Sequence, residues 1–175
     1  MPNWKWQPMD EISFPADYLQ INDLYRWESK FERGIEFQSD VHLGRVKLQS
    51  RHSVEPEMLD AQTAEGEDVK VLRTKVTLGI RVTFVDHEGA EPELLHLVEA
   101  TFAVEYIVLR PLDEEQIQSF CKFNCIHNVW PFWRQYVFDT LKSASLPVVS
   151  VPFFPGNGKK PKRRTKAKMR SSKEG

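Results

Sequence analysis

Strict alternation of apolar and polar residues over Lys75–Phe84 is the feature that most constrains the fold. In this stretch, KVTLGIRVTF, every even-numbered residue is apolar, and the residues between them are Lys, Thr, Gly or Arg. A period of two with many β-branched residues is typical of a strand half-buried in an antiparallel sheet. A second alternating stretch, LLHLVEATFAVEYIV, follows the turn-like DHEGAEP. The two stretches together predict a β-hairpin.

Two segments upstream of this hairpin are predicted strands that complete the sheet, and a third is predicted to be a loop. IEFQSDVHLGRVKLQS indicates a strand with a bulge near Gly44. LQINDLYRWESKFE fits a helical period less well than a period of two, so a strand is favoured, with one face formed by Leu19, Ile21, Tyr25, Trp27 and Phe31. Glu55–Asp68 is polar and acidic, and is expected to be a loop.

Beyond RPLD the apolar period changes from two to that of a helix. Asp113 is a plausible N-cap, and Glu114 and Glu115 suit the positive end of a helix dipole. A second helix is expected to begin near Trp130, with Pro131 in its first turn. Four strands followed by two helices predict an α+β fold in which a four-stranded antiparallel sheet carries a helical layer.

Charge divides the chain into an acidic body and a basic end. Nine Lys or Arg residues fall within 159–173, which leaves 15 basic and 24 acidic side chains before residue 159. Because this end has almost no apolar residues, it is expected to be disordered. The predicted organisation is an N-terminal extension (1–16), one folded domain (17–155) and a basic tail (156–175).

Composition excludes several classes of protein. No run of about 18 apolar residues occurs, so no membrane-spanning helix is predicted, and the N-terminus lacks the pattern of a secretory signal. Two cysteines cannot build a disulfide scaffold, which favours a reducing, cytoplasmic setting.

No residue constellation indicates catalysis. The sequence contains no G-x-S-x-G, no H-E-x-x-H and no complete phosphate loop. Cys121 and Cys125 are four residues apart and share one face of a helix. They are interpreted as two small buried residues in a helix interface, with half of a metal site as the alternative. The sequence therefore predicts a protein that is not an enzyme, with no cofactor and no metal.

Aromatic residues crowd the second predicted helix. Phe132, Trp133, Tyr136 and Phe138 occupy nearly every side of it. A helix that is apolar on several sides must be covered on several sides. One side can pack on the sheet, and another would then meet a second subunit or a bound chain, although any one of these residues could instead fill the monomer core.

The basic tail offers a different function. Its charged residues could bind nucleic acid through phosphates or bind an acidic partner, or they could only keep the chain soluble. They include Lys159, Lys160, Lys162, Arg163, Arg164, Lys166, Lys168 and Arg170.

Two motifs resemble the SecB family of export chaperones. The first is aromatic-Pro-aromatic-x-Arg, here Trp130–Arg134, followed by the apolar-Pro-x-apolar exit Leu146–Val151. The second is the family's first-strand pattern, which LQINDLYRWESKFE matches through Gln20, Ile21, Leu24, Tyr25, Phe31 and Glu32. The similarity covers roughly residues 18–154.

The resemblance implies an ATP-independent chaperone that assembles as a dimer of dimers, a homotetramer, and binds unfolded client proteins in apolar grooves. Trp27, Phe132, Trp133, Tyr136 and Phe138 are then the candidate groove or subunit contacts. SecB proteins usually end in a tail that is not basic and that helps to contact the translocase motor SecA. Because this chain ends in a lysine-rich run, the resemblance implies either protein export or control of a toxin–antitoxin pair through an unstable antitoxin.

Overall fold

The computed structural model describes residues 15–87 and 90–151. Four strands form one antiparallel sheet, in the order β1-β4-β3-β2, and are bounded as follows: β1 (Leu19–Arg33), β2 (Val46–Gln62), β3 (Asp68–Phe84) and β4 (Glu93–Val108). The helices are α1 (Ser39–His42), α2 (Glu114–Phe120) and α3 (Ile126–Ser143), with a 3-10 turn at Pro15–Tyr18 and a π-helical segment at Cys121–Cys125. The predicted α+β architecture, a four-stranded antiparallel sheet with a C-terminal helical layer, is confirmed.

Strands β3 and β4 are the centre of the sheet and form the predicted hairpin. Val76 pairs with Phe102 and Thr77 with Thr101. The even-numbered side chains are buried from 72 to 82 on β3 and from 96 to 106 on β4, for example Val76 and Val98, whereas Lys75 and Thr77 are half-buried on the opposite, open face. The alternation in the sequence therefore reports the two faces correctly.

Strand β1 lies at one edge beside β4, and two irregularities interrupt its register. They fall between Ile21 and Asp23 and between Arg26 and Glu28. Because an extra residue in a bulge reverses which face the next side chains point to, the single apolar face predicted for this strand is wrong. The residues are instead divided between the α3 side and the open face of the sheet.

Strand β2 is the other edge, and it is much longer than the sequence indicates. Glu55–Asp68 is not a loop, since β2 continues to Gln62 and the turn is closed by Thr63 N donating to Glu67 O at 2.9 Å. Charged residues are tolerated here because this end of the hairpin is largely exposed, and Lys70 pairs with Asp60 across it at 2.8 Å. The strand expected over residues 35–50 begins only at Val46, after the short helix α1. The bulge expected near Gly44 is wrong, since Gly44 lies in the turn before β2 with φ of 79° and β2 pairs with β3 in one continuous register.

The two helices are continuous rather than separate. Asp113 caps α2 as predicted, because its side chain accepts from Gln116 N at 2.8 Å while Gln116 Oε1 accepts from Asp113 N at 3.0 Å. Helix α3 then begins at Ile126, not near Trp130, and Pro131 lies inside it. The boundary differs because the chain passes from the π-helical segment into α3 without leaving helical backbone angles.

The core lies between α3 and the covered face of the sheet. One stripe of α3, with a residue in every turn, is at most 1% exposed, and comprises Val129, Trp133, Val137 and Leu141. A smaller cluster lies where His42 stacks edge-on against Phe84, with ring centroids 4.6 Å apart. Among the described residues, no helix is both long enough and apolar enough to cross a membrane.

The chain ends fall largely outside the described residues. The residues that are not described include 1–14 of the predicted N-terminal extension and all of the predicted basic tail, 156–175. The tail residues singled out from the sequence therefore have no structural placement.

Candidate functional site

Helix α3 has apolar surface on both flanks of its buried stripe. Phe132 is 52% exposed and Phe138 is 47% exposed, although the helix already buries one complete stripe on the sheet. Exposed large apolar side chains that line concave surfaces mark interaction sites more often than isolated ones do. Two grooves run along this helix, one on each flank.

The larger groove, here called the β1 groove, lies between α3 and the edge strand β1. Its volume is about 730 Å³. The guanidinium of Arg26 lies 4.9 Å from the centre of the Tyr136 ring, within the range of a cation–π contact, and so links the two walls. The lining consists of Leu24, Tyr25, Arg26 and Phe31 from β1, Phe102 from β4, and Phe132, Gln135, Tyr136, Asp139, Thr140, Ser143 and Ala144 at the helix side.

The second groove, here called the exit groove, lies on the opposite flank of α3. It has a volume of about 370 Å³ and is closed by the segment that leaves the helix. Arg134 holds this segment in place, since its Nε donates to Val151 O at 3.2 Å. Ser145, with φ of 54°, makes the sharp reversal that brings the segment back along the helix. The lining residues are Pro131, Arg134, Gln135, Phe138, Val148, Val149, Ser150 and Val151.

Val151 also borders a smaller cleft that continues toward the β2 edge. This cleft has a volume of about 160 Å³, and Leu48 on β2 and Trp130 on α3 lie on its two sides. Leu48 is 45% exposed on β2, which is an edge strand of the sheet that the described residues form. Apolar surface therefore extends from α3 to an open strand edge, a combination that suits an extended polypeptide.

The structure separates the five residues predicted as contacts. Phe132 and Tyr136 come together in the β1 groove, and Phe138 lies in the exit groove. Trp133 is 1% exposed and packs in the core, so its indole presents almost no surface to a partner. Trp27 lies on the open face of the sheet, with Lys75 Nζ 4.2 Å from its ring centre.

The five predicted contact residues are separated because a helix and a bulged strand direct their side chains differently. On α3, Phe132 and Tyr136 are four residues apart and share a flank, whereas Trp133 falls on the stripe that faces the sheet. On β1, the irregularity between Arg26 and Glu28 places Trp27 opposite to the groove. Leu24 and Phe31 line the β1 groove instead. Phe31 belonged to both the apolar period and the first-strand pattern, whereas Leu24 belonged to the first-strand pattern alone.

The open face of the sheet carries polar pairs rather than a groove of aromatic residues. Glu105 accepts from Arg73 Nε at 3.0 Å and from the Tyr25 hydroxyl at 3.2 Å. Partial burial and this hydrogen bond raise the pKa of Tyr25 above its ordinary value. Arg51 on β2 reaches over Gly79 to pair with Glu99 on β4. These contacts link side chains from all four strands of the sheet.

Metal-binding clusters are likewise not found in the described residues. No group of three or more His, Cys, Asp or Glu residues in this part of the chain is arranged to hold an ion. Cys121 and Cys125 are both buried, as the interpretation of two small residues in a helix interface requires, and they are not bonded to each other.

Comparisons with known proteins bear on the fold. No protein-family model matches the chain, and no curated protein matches it in sequence. Among solved structures, it is similar to the Rv1957 SecB-like chaperone of Mycobacterium tuberculosis, solved in complex with a ChAD peptide from the HigA1 antitoxin. The TM-score is 0.59 at 16% identity, over 83% of this chain and 97% of that one. The resemblance drawn from the sequence motifs is thus confirmed at the level of architecture: the chain has a SecB-like fold.

Proposed function

We propose that the protein is an ATP-independent chaperone that binds unfolded or unstable polypeptides through the apolar grooves beside α3. The observation that carries this proposal is the exposure of Phe132 and Phe138 in two grooves on opposite flanks of one helix. A monomer with a complete core gains no stability from exposing two phenylalanines. The exposure is explained if another chain covers them.

The energy of such binding comes from many weak contacts. Each large apolar side chain of a client that becomes buried contributes about 1.5–3 kcal/mol before the cost of ordering the client. One groove alone therefore binds weakly, and several grooves on a homotetramer would act together through effective concentration. In this proposal the grooves accept many sequences, and the protein works in the cytoplasm by binding alone, without an enzymatic step.

The favoured client is an unstable antitoxin. The similar mycobacterial chaperone was solved with an antitoxin peptide, and the lysine-rich end of this chain differs from the tail with which SecB proteins help to contact SecA. A pull-down with the full-length protein distinguishes these partners, since recovery of SecA rather than a toxin–antitoxin pair would support the export role instead.

Aggregation of a denatured reporter protein tests the chaperone proposal. Full-length protein should suppress light scattering after the reporter is diluted from denaturant. Phe132→Asp and Phe138→Asp should each weaken suppression several-fold, because a charge is placed where apolar client side chains would be buried. Leu43→Asp is the matched control, because Leu43 is 72% exposed but lines neither groove.

Oligomer mass, measured on the same variants, separates two roles for each groove. A variant that lowers the mass has changed a subunit interface, whereas one that keeps the mass and loses suppression has changed client capture. Equal suppression by all three variants at unchanged mass would contradict the proposal.

A nucleic-acid-binding adaptor is the alternative, and the nine basic residues of 159–173 favour it. Binding of RNA or DNA by phosphate contacts would fall steeply with salt concentration. Removal of residues 159–175 should abolish such binding while leaving reporter suppression intact. Loss of suppression on this truncation would favour the adaptor and count against the grooves.

A further inference from the structure

Helix α3 leaves part of the covered face of the sheet exposed at the β2 edge. Leu48 on β2 pairs with Val82 on β3, so the two side chains point to the same side of the sheet. Val82 is 3% exposed, whereas Leu48 is 45% exposed. The helical layer therefore buries the apolar residues of β3 but not those of β2 beside it.

The cleft of about 160 Å³ at this position, here called the β2 cleft, has room for one aromatic ring. A cavity of about 150 Å³ is enough to bind benzene. The apolar walls of the β2 cleft are formed by Leu48 and Ile80 on the sheet and by Trp130, Trp133 and Val151 on the opposite side. The shape and the lining both suit a single phenyl side chain.

The chain itself brings phenylalanines to this cleft. Val151 lines the β2 cleft and is the last described residue, and the sequence continues with Pro152, Phe153, Phe154 and Pro155. Phe153 is two residues beyond Val151, so it lies no more than about 7 Å from it. A tether this short holds the ring at an effective concentration in the millimolar range, well above that of an unattached client.

The two prolines favour Phe153 as the residue that enters the cleft. A residue that precedes proline is restricted to extended backbone, and this applies to both Val151 and Phe154. In an extended chain alternate side chains point the same way, so the side chain of Phe153 follows that of Val151. Proline also limits the conformations of the free segment, which lowers the entropy lost on docking.

Charge complementarity favours a course of the tail along β2. Beyond its aromatic residues the tail is basic, and Lys159 can lie up to about 26 Å from Val151. Strand β2 becomes acidic from Glu55, three residues or about 10 Å beyond His52, which also lines the β2 cleft. Because solvent screens exposed charges, these pairs direct the tail and contribute little to its docking.

We propose that Phe153 docks in the β2 cleft of its own chain and competes there with client polypeptides. The docking depends only on the cleft and the tether, whereas the competition rests on the proposed chaperone function. The apparent affinity for a client is reduced by the fraction of molecules whose cleft is open. A cleft that is closed in about 70–90% of molecules weakens client binding about threefold to tenfold.

Photo-cross-linking of the full-length protein tests the docking. Phe153→p-benzoylphenylalanine keeps an aromatic ring at this position and reacts with what lies beside it. Mass spectrometry on a mixture of ¹⁵N-labelled and unlabelled protein should find cross-links within one chain, to peptides that contain Leu48 or Trp130. The same photoreactive residue at Leu109, which is 56% exposed and does not line the cleft, is the control and should not reach these peptides. Cross-links to a second copy, or none at the cleft, overturn the proposal.

Client affinity tests the competition. Phe153→Ser should tighten the binding of a labelled reporter protein, held unfolded by carboxymethylation of its cysteines, about threefold to tenfold in fluorescence anisotropy. Leu43→Ser is the control and should leave the affinity unchanged, because Leu43 is 72% exposed and lies outside the β2 cleft. Unchanged or weaker reporter binding by Phe153→Ser overturns the competition. If neither chain binds the reporter while the cross-link within one chain forms, the docking is supported and the chaperone proposal is contradicted.

Discussion

The two faces of the sheet are stabilised in different ways. On the covered face, Val76, Val98 and Trp133 are at most 1% exposed and are held by apolar packing against α3. On the open face, Glu105 and Arg73 meet in a charged hydrogen bond, and both side chains remain partly in contact with water. The same strands therefore have one face that excludes solvent and one face that remains in contact with it.

This difference predicts where substitutions matter. Apolar contacts on the covered face lose their full transfer energy and leave a cavity when they are removed. Charged pairs on the open face lose less, because solvent screens both the pair and the charge that is left behind. The free energy of unfolding should thus depend mainly on the covered face, and four variants can break or sharpen that comparison.

Trp133→Ala should have the largest effect. The indole is fully buried in the centre of the core, and truncations of this kind cost about 3–5 kcal/mol in unfolding free energy. Urea unfolding followed by circular dichroism measures it, with Phe132→Ala as a control on the exposed flank of the same helix. An unfolding free energy that stays within 1 kcal/mol of the parent would mean that Trp133 is not a core residue.

Glu105→Gln should have the next largest effect. Its carboxylate accepts from both Arg73 and Tyr25, and only 18% of the side chain is exposed. Replacing the charge keeps the shape and should cost about 1 kcal/mol, since hydrogen bonds to charged groups are stronger than neutral ones. The pKa of Tyr25, followed by ultraviolet absorption, should fall towards its ordinary value. An unchanged Tyr25 pKa would mean that this network does not persist in solution.

The sequence predicted the covered face well because its side chains follow the two-residue period of a β-strand. Alternation in β3 and β4 and the N-cap at Asp113 are local signals, and the structure agrees with them. The bulges in β1 and the extension of β2 to Gln62 were not predictable, because they depend on pairing with strands distant in the chain. The acidic residues in the second half of β2 favoured a loop prediction, although charged side chains are compatible with a strand whose side chains are exposed to solvent.

The candidate site was predictable only as a cluster. The aromatic run indicated that α3 has too much apolar surface for one contact, and the exposure of Phe132 and Phe138 agrees with that. Which aromatic residue faces the core depends on the helical phase relative to the sheet, and the π-helical segment at Cys121–Cys125, directly before α3, departs from the α-helical period on which a prediction of that phase relies. The local sequence gave no warning of this segment.

His96 is a buried polar residue on the covered face of the sheet, and its effect should appear only in acid. Both of its ring nitrogens are buried without a hydrogen-bond partner in the described residues. Burial first, and the nearby Arg33 second, lower its pKa below the ordinary value of 6.5. The unfolded chain therefore binds a proton more readily than the folded one does, so the unfolding free energy should decrease as pH falls below about 6.5.

His96→Phe tests this pH dependence. The variant keeps an aromatic ring and removes the titrating group, so its unfolding free energy should fall less steeply between pH 6.5 and pH 5. His87→Phe is the control, since that side chain is 75% exposed. Parallel acid slopes for the parent and the His96 variant would show that His96 is protonated as easily in the folded state as in the unfolded one.

Arg51→Ala should have the smallest effect and tests the open face most strictly. Arg51 Nε donates to Glu99 Oε2 at 2.7 Å above Gly79, where an added Cβ would lie 3.1 Å from the same oxygen. The contact is therefore well fitted, yet 70% of the Arg51 side chain is exposed.

The good geometry of this pair argues for a measurable contribution to the unfolding free energy, and its exposure argues against one. Because exposed pairs contribute about 0.2–1 kcal/mol, exposure should dominate. The difference in unfolding free energy between parent and variant should shrink further in 1 M salt. A loss above 2 kcal/mol that persists in salt would mean that the pair is shielded from water by another chain, and the open face would then be an interface rather than a wet surface.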